Sequence, residues 1–210
     1  LCLIAESLVE AIRQSKPDVS VDFSLPQSVM ANARITLGAK VATVIGASGL
    51  TEEDFKELAA LSEQQKTPAF YTPNFAIGAV LMMEFAAQAA RHMDAVEIVE
   101  LHHATKLDSP SATAARTARL MAAAVGTKVT QHPSTDHGPA RGTTVEGIPL
   151  HSVRLPGLVA HQEVIFGGPG QTLTIRHDST GRDSFMPGVL LAVRKVRGLR
   201  GLVVGLERIL

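Results

Sequence analysis

The sequence predicts an α/β fold with a parallel sheet in the first third of the chain, followed by an α+β region with a mixed sheet. Helix-like and strand-like segments alternate from the N-terminus to Tyr71, which is the layout of a parallel sheet. The run from Lys40 to Ile45 is apolar along most of its length, as expected of a strand buried on both faces. Three strand-like runs then follow one another between Leu150 and His177, and their alternation indicates mixed or antiparallel pairing.

The first third of the chain has clear starts and stops for each element. Thr51 precedes a helical segment, and Asp54 follows three residues later, which together predict a capping box at the helix start. Gly38 ends the preceding helix. The predicted elements are, in order, a helix from Ile4 to Gln14, a strand from Val19 to Ser24, a helix from Ser28 to Leu37, the strand from Lys40 to Ile45, a helix from Thr51 to Gln65 and a strand from Pro68 to Tyr71.

The remainder of the chain begins with a long helix rich in Ala and Met and ends with a helix and a short strand. Between them lies a polar loop, over residues 127–147, with two prolines and several glycines. The predicted elements are a helix from Asn74 to Met93, a strand from Val96 to Leu101, a helix from Ser111 to Val125, strands from Leu150 to Leu155, Val159 to Phe166 and Thr172 to His177, a helix from Ser184 to Arg197 and a short closing segment from Leu202 to Leu206.

The composition excludes several classes of protein. Hydrophobic residues make up 45% and charged residues 19% of the 210 residues, as in ordinary globular proteins. Lys and Arg equal Asp and Glu at 20 each, so no overall field favours nucleic acid or an anionic membrane. The single cysteine, Cys2, excludes a disulfide framework and a thiolate metal cage, and it indicates a reducing cytoplasm. We find neither a bilayer-spanning apolar run nor a signal segment.

The most informative stretch lies between the strand that ends at Leu101 and the helix that follows. Ser109 is a preferred helix cap and Pro110 a preferred first helical residue, so the N–H groups of Ser111, Ala112 and Thr113 are predicted to lack partners within the helix. Free amides at a helix start bind carboxylate or phosphate. Plain helix capping, with water on these amides, is the simpler interpretation of this segment taken alone.

Two histidines and a lysine precede this helix start. Lys106 supplies a point charge for the same anion, although surface lysines are usually just solvated. If the strand continues through His102 and His103, their side chains point to opposite faces, so they do not share one metal ion. A histidine near its ordinary pKa donates a proton at neutral pH. The cluster therefore favours a site that holds and protonates a small anion over a metal site.

Two short turns follow predicted strands and are weaker signals. Gly46 to Gly49 lets the backbone approach a ligand, but a tight turn between strand and helix explains it equally well. Thr72 to Phe75 follows the next strand and leads into the long helix, with Asn74 as its expected cap. Ligands of open parallel sheets bind beyond the carboxyl ends of the strands, where both turns lie.

Taken together, these residues resemble the 4-hydroxy-tetrahydrodipicolinate reductase family, also called dihydrodipicolinate reductase, over essentially the whole chain. The segment around His102 is highly specific for that family, whereas the glycine turn is not. The resemblance rests on Val21–Ser24, Gly46–Gly49, Pro73–Gly78, Glu100–His103 with Lys106, Asp108, Pro110, Ser111 and Thr113, His151–Arg154, Gly157–Val164 and Thr174–His177.

The resemblance implies a Rossmann-like dinucleotide-binding domain, truncated at its N-terminus, from residues 1–75 and 182–210. It implies that residues 76–181 form a substrate-binding and tetramerisation domain with a mixed sheet. The implied activity is reduction of 4-hydroxy-tetrahydrodipicolinate to tetrahydrodipicolinate with loss of water, using NADPH or NADH, in lysine and diaminopimelate biosynthesis in the cytoplasm. The implied partners are the cyclic dicarboxylate substrate and other copies of the chain in a homotetramer, with no metal, nucleic acid or membrane.

The resemblance also implies roles for individual residues. By the family pattern His102 is the general acid, Lys106 is its catalytic cationic partner and His103 contacts the substrate. The residues implied to hold a substrate carboxylate are Ser111, Ala112 and Thr113. The residues implied along the cofactor are Phe23, Gly46, Ala47, Ser48, Pro73, Asn74, Phe75 and Arg182.

The sequence departs from the family pattern in three ways. The opening strand and its GxxGxxG loop are absent, and the start at Leu1 favours missing residues over a real loss. Ala112 stands where the family usually has Gly, and Ala47 and Ser48 replace two threonines. An alternative is therefore a non-catalytic dicarboxylate-binding homologue that has lost its cofactor site. A third hypothesis is a metal-dependent hydrolase that uses His102 and His103.

Overall fold

The computed structural model describes residues 5–47, 49–126 and 141–210. The chain divides into two compact units: unit 1 comprises Leu1–Phe75 and Phe185–Leu210, and unit 2 comprises Ala76–Ser184. The predicted fold class, a parallel α/β sheet and a mixed sheet, is confirmed. The second boundary falls after Ser184, whereas the sequence placed it before Arg182, so Arg182 lies in unit 2.

Unit 1 contains a four-stranded sheet, sheet A, in the order β1-β2-β3-β9, and every neighbouring pair is parallel. Its strands are β1 (Val19–Asp22), β2 (Ala42–Ile45), β3 (Ala69–Tyr71) and β9 (Leu202–Val204), and its helices are α1 (Leu8–Ser15), α2 (Pro26–Gly38), α3 (Glu52–Gln65) and α6 (Met186–Val196). Because Asp22, Ile45 and Tyr71 are in register, the first three strands end together at one carboxyl edge.

The core of unit 1 lies between sheet A and its helices. All four residues of β2 are buried, as the apolar run predicted. Val29 and Leu37 of α2 and Leu58 of α3 are fully buried in the cluster that contains Ile45. Burial of each such side chain stabilises the fold by about 1.5–3 kcal/mol. The capping box at the start of α3 is confirmed, since Thr51 and Asp54 bond each other's backbone N–H groups.

Unit 2 contains a five-stranded sheet, sheet B, in the order β5-β6-β4-β7-β8. Its strands are β4 (Ala95–His102), β5 (Thr143–Val145), β6 (Ile148–Arg154), β7 (Ala160–Gly168) and β8 (Gln171–Ser179), and its helices are α4 (Ile77–Ala89) and α5 (Ala112–Val125). The sheet is mixed because β4 pairs with β6 in parallel, whereas the other pairs are antiparallel. Helices α4 and α5 pack against each other, α4 against β8 and α5 against β4 to β6.

Two predicted elements of unit 2 differ from the structure. The helix predicted from Asn74 is α4, which begins only after its cap residue Ala76. Asn74 lies in a turn before it, where the Thr72 hydroxyl donates to the Asn74 backbone oxygen over 2.9 Å. The predicted polar loop lies outside the described residues from 127 to 140, but Thr143–Val145 is strand β5.

The turn from β5 into β6 explains why the sequence pattern missed this strand. Glu146 and Gly147 adopt φ of 52° and 80°, which is the two-residue hairpin turn that matches strand twist. Glu is an uncommon first residue in such a turn, so the signal was weak. In the described part of the chain, no helix has the length and apolar character needed to cross a membrane.

Candidate active site

The site in unit 2 lies where the parallel strands β4 and β6 end and α5 begins. The register pairs Glu100 with Ser152 and His102 with Arg154, so these four side chains share one face of sheet B. The same face carries the buried Ile98 and packs on α5. Strand alternation and register therefore place an acid, an imidazole, a hydroxyl and a guanidinium together at one end of the sheet.

The centre of this site is the carboxylate of Glu100, which is fully buried. One carboxylate oxygen, Oε1, accepts from the Ser152 hydroxyl over 2.6 Å, from Arg154 over 2.8 Å and from the Ser111 backbone N–H over 3.2 Å. The other oxygen, Oε2, accepts from the second Arg154 nitrogen over 2.9 Å and contacts His102 Nδ1 over 2.5 Å. Five donors therefore converge on one buried group.

The charge state of Glu100 follows from this environment. Burial raises the pKa of a carboxyl group, but the hydrogen bonds from His102, Arg154 and Ser152 outweigh burial and lower the pKa of Glu100 to about 2. The bidentate guanidinium of Arg154 compensates the buried negative charge, and the carboxylate raises the pKa of Arg154 in turn. Glu100 is thus an ionised acceptor over the whole physiological pH range.

The predicted proton donor, His102, is the last residue of β4, and its side chain is 14% exposed. His103, the predicted substrate contact, lies beyond the strand and is exposed, with Nδ1 2.9 Å from the Thr105 hydroxyl. The Lys106 backbone N–H bonds the His103 carbonyl over 3.1 Å, which closes a turn between the two. The structure therefore brings all three predicted residues to the end of β4.

Lys106 is held in place by Asp108, an acidic neighbour that the sequence named as part of the family pattern but gave no role. Its ammonium contacts both oxygens of Asp108, at 2.7 and 2.8 Å, and this bond lowers the pKa of Asp108. Arg154 donates to the backbone carbonyl of Asp108 over 2.7 Å as well as to Glu100. Arg154 thus connects the group that bonds His102 with the residue that bonds Lys106.

The helix start differs in detail from the prediction. The cap of α5 is Ser111 rather than Ser109, because the Ser111 side chain accepts from the Ala114 N–H over 3.2 Å. The Ser111 N–H, predicted to be open for an anion, is bonded to Glu100. Ala112 is exposed and is the first residue of the helix. Its backbone is therefore helical, a conformation that alanine readily adopts. Thr113 follows it in the first turn.

Three residues predicted along the cofactor come together at the carboxyl edge of sheet A. A Cβ on Gly46 would clash with the rings of Phe23 and Phe75, so glycine lets these rings approach as closely as they do. The Phe23 and Phe75 rings meet edge-on with centroids 5.5 Å apart. Phe75 is buried, whereas Phe23 is 55% exposed. An exposed ring fixed at this edge fits a planar ring of a dinucleotide.

The other predicted cofactor residues have different surroundings. Ala47 is buried in the core of unit 1, whereas Pro73 is exposed and Asn74 is half-buried in the turn after β3. Ser48 lies outside the described residues. Arg182 is exposed and begins a 3-10 turn in unit 2, so it does not belong to the unit that carries sheet A.

Sequence reasoning assigned no role to Glu100, Ser152 or Arg154. A signal was present, because Glu100 occupies a core-facing position of β4, two residues from Ile98, where a charged residue needs a partner. That partner lies 54 residues further on, and only the register reveals it. In the residues that the structure describes, no group of three or more His, Cys, Asp or Glu side chains is placed to hold a metal ion.

Comparison with known proteins matches both parts of the chain to one family. Residues 2–75 match the family described as dihydrodipicolinate reductase, N-terminus, and residues 78–210 match its C-terminus. The chain is 50% identical over 209 residues to 4-hydroxy-tetrahydrodipicolinate reductase of Moorella thermoacetica. The aligned region covers 99% of this chain and 78% of that protein. It is 53% identical over 197 residues to the enzyme of the same name from Geobacillus kaustophilus, covering 93% and 74% respectively.

A solved structure agrees with these matches. The dipicolinate-bound dihydrodipicolinate reductase from Paenisporosarcina sp. TG-14 is 45% identical, with a TM-score of 0.88, and covers 98% of this chain and 78% of that one. Together, the fold and the relatives define the class: an oxidoreductase whose unit 1 is of the nucleotide-binding Rossmann type. The chain belongs to the dihydrodipicolinate reductase family.

Proposed function

We propose that this chain reduces 4-hydroxy-tetrahydrodipicolinate to tetrahydrodipicolinate, with NADPH or NADH as reductant and release of water, in lysine and diaminopimelate biosynthesis. The names of its relatives support the reaction. The single observation that carries the assignment of residues is the position of Arg154, which bonds both Glu100 beside His102 and Asp108 beside Lys106. It makes a proton donor and a cation parts of one assembly at the end of β4.

The substrate is a dicarboxylate, and the chain offers two kinds of group for it. The ammonium of Lys106 provides a positive charge, and the first turn of α5, built by Ser111, Ala112 and Thr113, provides backbone N–H groups and the positive end of a helix dipole. Ser111 shapes this turn through its cap and its bond to Glu100. A substrate carboxylate replaces Asp108 as the partner of Lys106, and His103 contacts the substrate from the adjoining turn.

The reduction consumes one proton, and His102 is the proposed source. Because the ionised Glu100 only accepts, the Nδ1–H of His102 donates to it, and the proton for the reaction is held at Nε2.

The cofactor supplies the hydride when it is bound. The residues of unit 1 proposed to hold it are Phe23, Gly46, Ala47, Ser48, Pro73, Asn74 and Phe75. Arg182, which lies in unit 2, is proposed as a cofactor residue by the family pattern alone. Phe23 offers its exposed ring, and Gly46 offers backbone at the carboxyl edge of sheet A. We further propose that the reaction takes place in the cytoplasm, because the sequence has a single cysteine. By the family pattern, we propose that unit 2 forms the contacts of a tetramer.

The assay measures the decrease in NADPH or NADH absorbance as the full-length protein consumes the cofactor. The substrate is the freshly made product of dihydrodipicolinate synthase. We expect turnover in the wild type and a fall in rate of about 100-fold or more in both His102→Gln and Lys106→Ala. His92→Gln and Lys56→Ala, which change exposed residues outside the site, are matched controls expected to retain activity.

Two results contradict the proposal. Wild-type protein that binds the dicarboxylate yet consumes neither cofactor is a binding homologue and not a reductase. Activity abolished by a chelator and restored by a metal ion would instead support a metal-dependent enzyme. Sedimentation of the wild type tests the assembly, for which a species of four chains is expected.

A further inference from the structure

The geometry points to Glu100 as a positioning residue that orients the imidazole of His102 and fixes the start of α5 beside it. This inference rests on the proposed function, in which His102 is the proton donor. The roles implied by the family pattern do not include Glu100, and Glu100 itself has no exposed surface from which to touch a substrate. It acts through the groups that it bonds.

Glu100 determines which ring nitrogen of His102 carries the proton of the neutral imidazole. Glu100 is ionised, so it carries no proton and only accepts hydrogen bonds. His102 Nδ1 lies 2.5 Å from Glu100 Oε2, so Nδ1 must be the protonated nitrogen of the neutral ring. This leaves Nε2 as the nitrogen that gains and loses the catalytic proton. A free histidine populates both tautomers and several ring orientations, and Glu100 removes that freedom.

The carboxylate of Glu100 is itself held rigidly. Two donors come from β6, the Ser152 hydroxyl and the fork of Arg154, and a third comes from the backbone of Ser111 before α5. A carboxylate held from both β6 and the start of α5 cannot rotate without breaking several bonds at once. Gln162 is the register partner of Glu100 on β7, and its amide nitrogen donates to Thr117 of α5.

Glu100 also couples His102 to the first turn of α5. The oxygen Oε1 bonds the Ser111 N–H, whereas Oε2 bonds His102. The distance between the proton donor and the helix turn that is proposed to hold the carboxylate is thus set through one rigid group. The charged groups that face this assembly are Arg154 from β6 and, through Arg154, Asp108 with Lys106.

The first test needs no variant. Nitrogen-15 NMR of histidine-labelled wild type, at a pH where His102 is neutral, reports which ring nitrogen carries the proton. We expect His102, assigned by the signal that His102→Gln removes, to carry its proton on Nδ1. A proton on Nε2, or an averaged mixture of tautomers, would overturn the inference about Glu100. The same result would not contradict the proposed reductase function.

The second test is a mutant cycle in the active enzyme. Glu100→Gln keeps the shape but lets the side chain donate as well as accept, and we expect kcat to fall about 100-fold with KM for the cofactor unchanged. In a His102→Gln background the same change should lower kcat by less than about threefold, because its target is already gone. Equal effects in both backgrounds would mean that Glu100 only stabilises the fold.

The control is Glu97→Gln, on the same strand and also bonded to a histidine and an arginine, which we expect to leave kcat unchanged. If Glu100→Gln does not fold, Glu100→Gln combined with Arg154→Leu removes the buried charge pair together and allows the same cycle. Full activity of that double variant would refute the role of Glu100. Absence of reductase activity in the wild type would refute the proposed function instead, and the NMR result would still stand by itself.

Discussion

Two clusters with the same three residue types lie on opposite faces of β4. On the face that packs against α5, Glu100 bonds His102 and Arg154, and the three side chains are 0%, 14% and 19% exposed. On the other face, Glu97 bonds His151 and Arg141, and these are 25%, 23% and 42% exposed. Glu97 and Glu100 point to opposite faces because they are three residues apart on a strand.

The difference shows that residue types alone do not define a site. Burial opposes ionisation of Glu97 as well, and the bonds from His151 and Arg141 again lower its pKa. What distinguishes Glu100 is complete burial and the added bonds from Ser152 and the Ser111 N–H, which connect it to the start of α5. A buried carboxylate with five donors fixes its partners in place, whereas a partly exposed one shares them with water.

The largest expected effect is a loss of unfolding free energy when the arginine is removed, and it should differ between the two faces of β4. Arg154→Met leaves Glu100 buried without its compensating charge and should lower the free energy of unfolding by about 3–5 kcal/mol. Arg141→Met should cost less than about 1 kcal/mol, because the pair with Glu97 is partly solvated. Urea unfolding of the two variants, followed by circular dichroism, measures both. Equal losses would break the comparison, because they would show that burial does not separate the two clusters.

The second expected effect is on the pH dependence of stability. The pKa of Glu100 is lowered from its ordinary value of 4.5 to about 2, so its contribution is fully present above pH 4.5 and is lost as the pH falls towards 2. The loss amounts to roughly 3 kcal/mol. Glu100→Gln should therefore flatten the fall in unfolding free energy between pH 5 and 3, and Glu97→Gln should flatten it less. A steeper fall of the unfolding free energy in Glu100→Gln than in the wild type would contradict the expected direction of this effect.

The same contrast explains what the sequence predicted and what it did not. The apolar run of β2, the capping box at Thr51 and Asp54, and the cluster of His102 with Lys106 are local patterns, and each was visible in a few consecutive residues. The roles of the catalytic and binding residues stay predictions. The resemblance to a family added the reaction, which spacing alone did not indicate.

The features that were missed depend on contacts between distant segments. Arg154 meets Glu100 only because β6 lies parallel to β4 with His102 and Arg154 in register. The cap of α5 moved from Ser109 to Ser111 because the choice between two serines depends on which hydroxyl reaches the helix amides, a property of the folded turn. Arg182 fell in unit 2 for a similar reason, since the boundary depends on packing rather than on a local signal.

A third expected effect concerns neutral groups on the face of sheet B that packs against α5. Thr117 is fully buried; its hydroxyl accepts from Gln162 over 2.8 Å and donates to the Thr113 carbonyl over 2.8 Å. Thr117→Val leaves the Gln162 amide nitrogen without that acceptor and should cost about 2 kcal/mol of unfolding free energy. The pair Thr117→Val with Gln162→Leu removes both partners and should recover at least half of the loss. Additive losses in the pair would show that the unsatisfied Gln162 amide does not set the cost.

The smallest expected effect isolates one donor to Glu100. Ser152→Ala removes the hydroxyl that lies 2.6 Å from Oε1, while the bonds from Arg154, His102 and the Ser111 N–H remain, so the unfolding free energy should fall by only about 1 kcal/mol and kcat by less than about threefold. Ser20→Ala removes a hydroxyl bonded to the neutral Thr43 and is the matched control, with about half that cost. A loss in kcat as large as that of Glu100→Gln would show that Ser152, and not the carboxylate fork with Arg154, fixes His102, and the buried cluster would then owe its rigidity to a single hydroxyl.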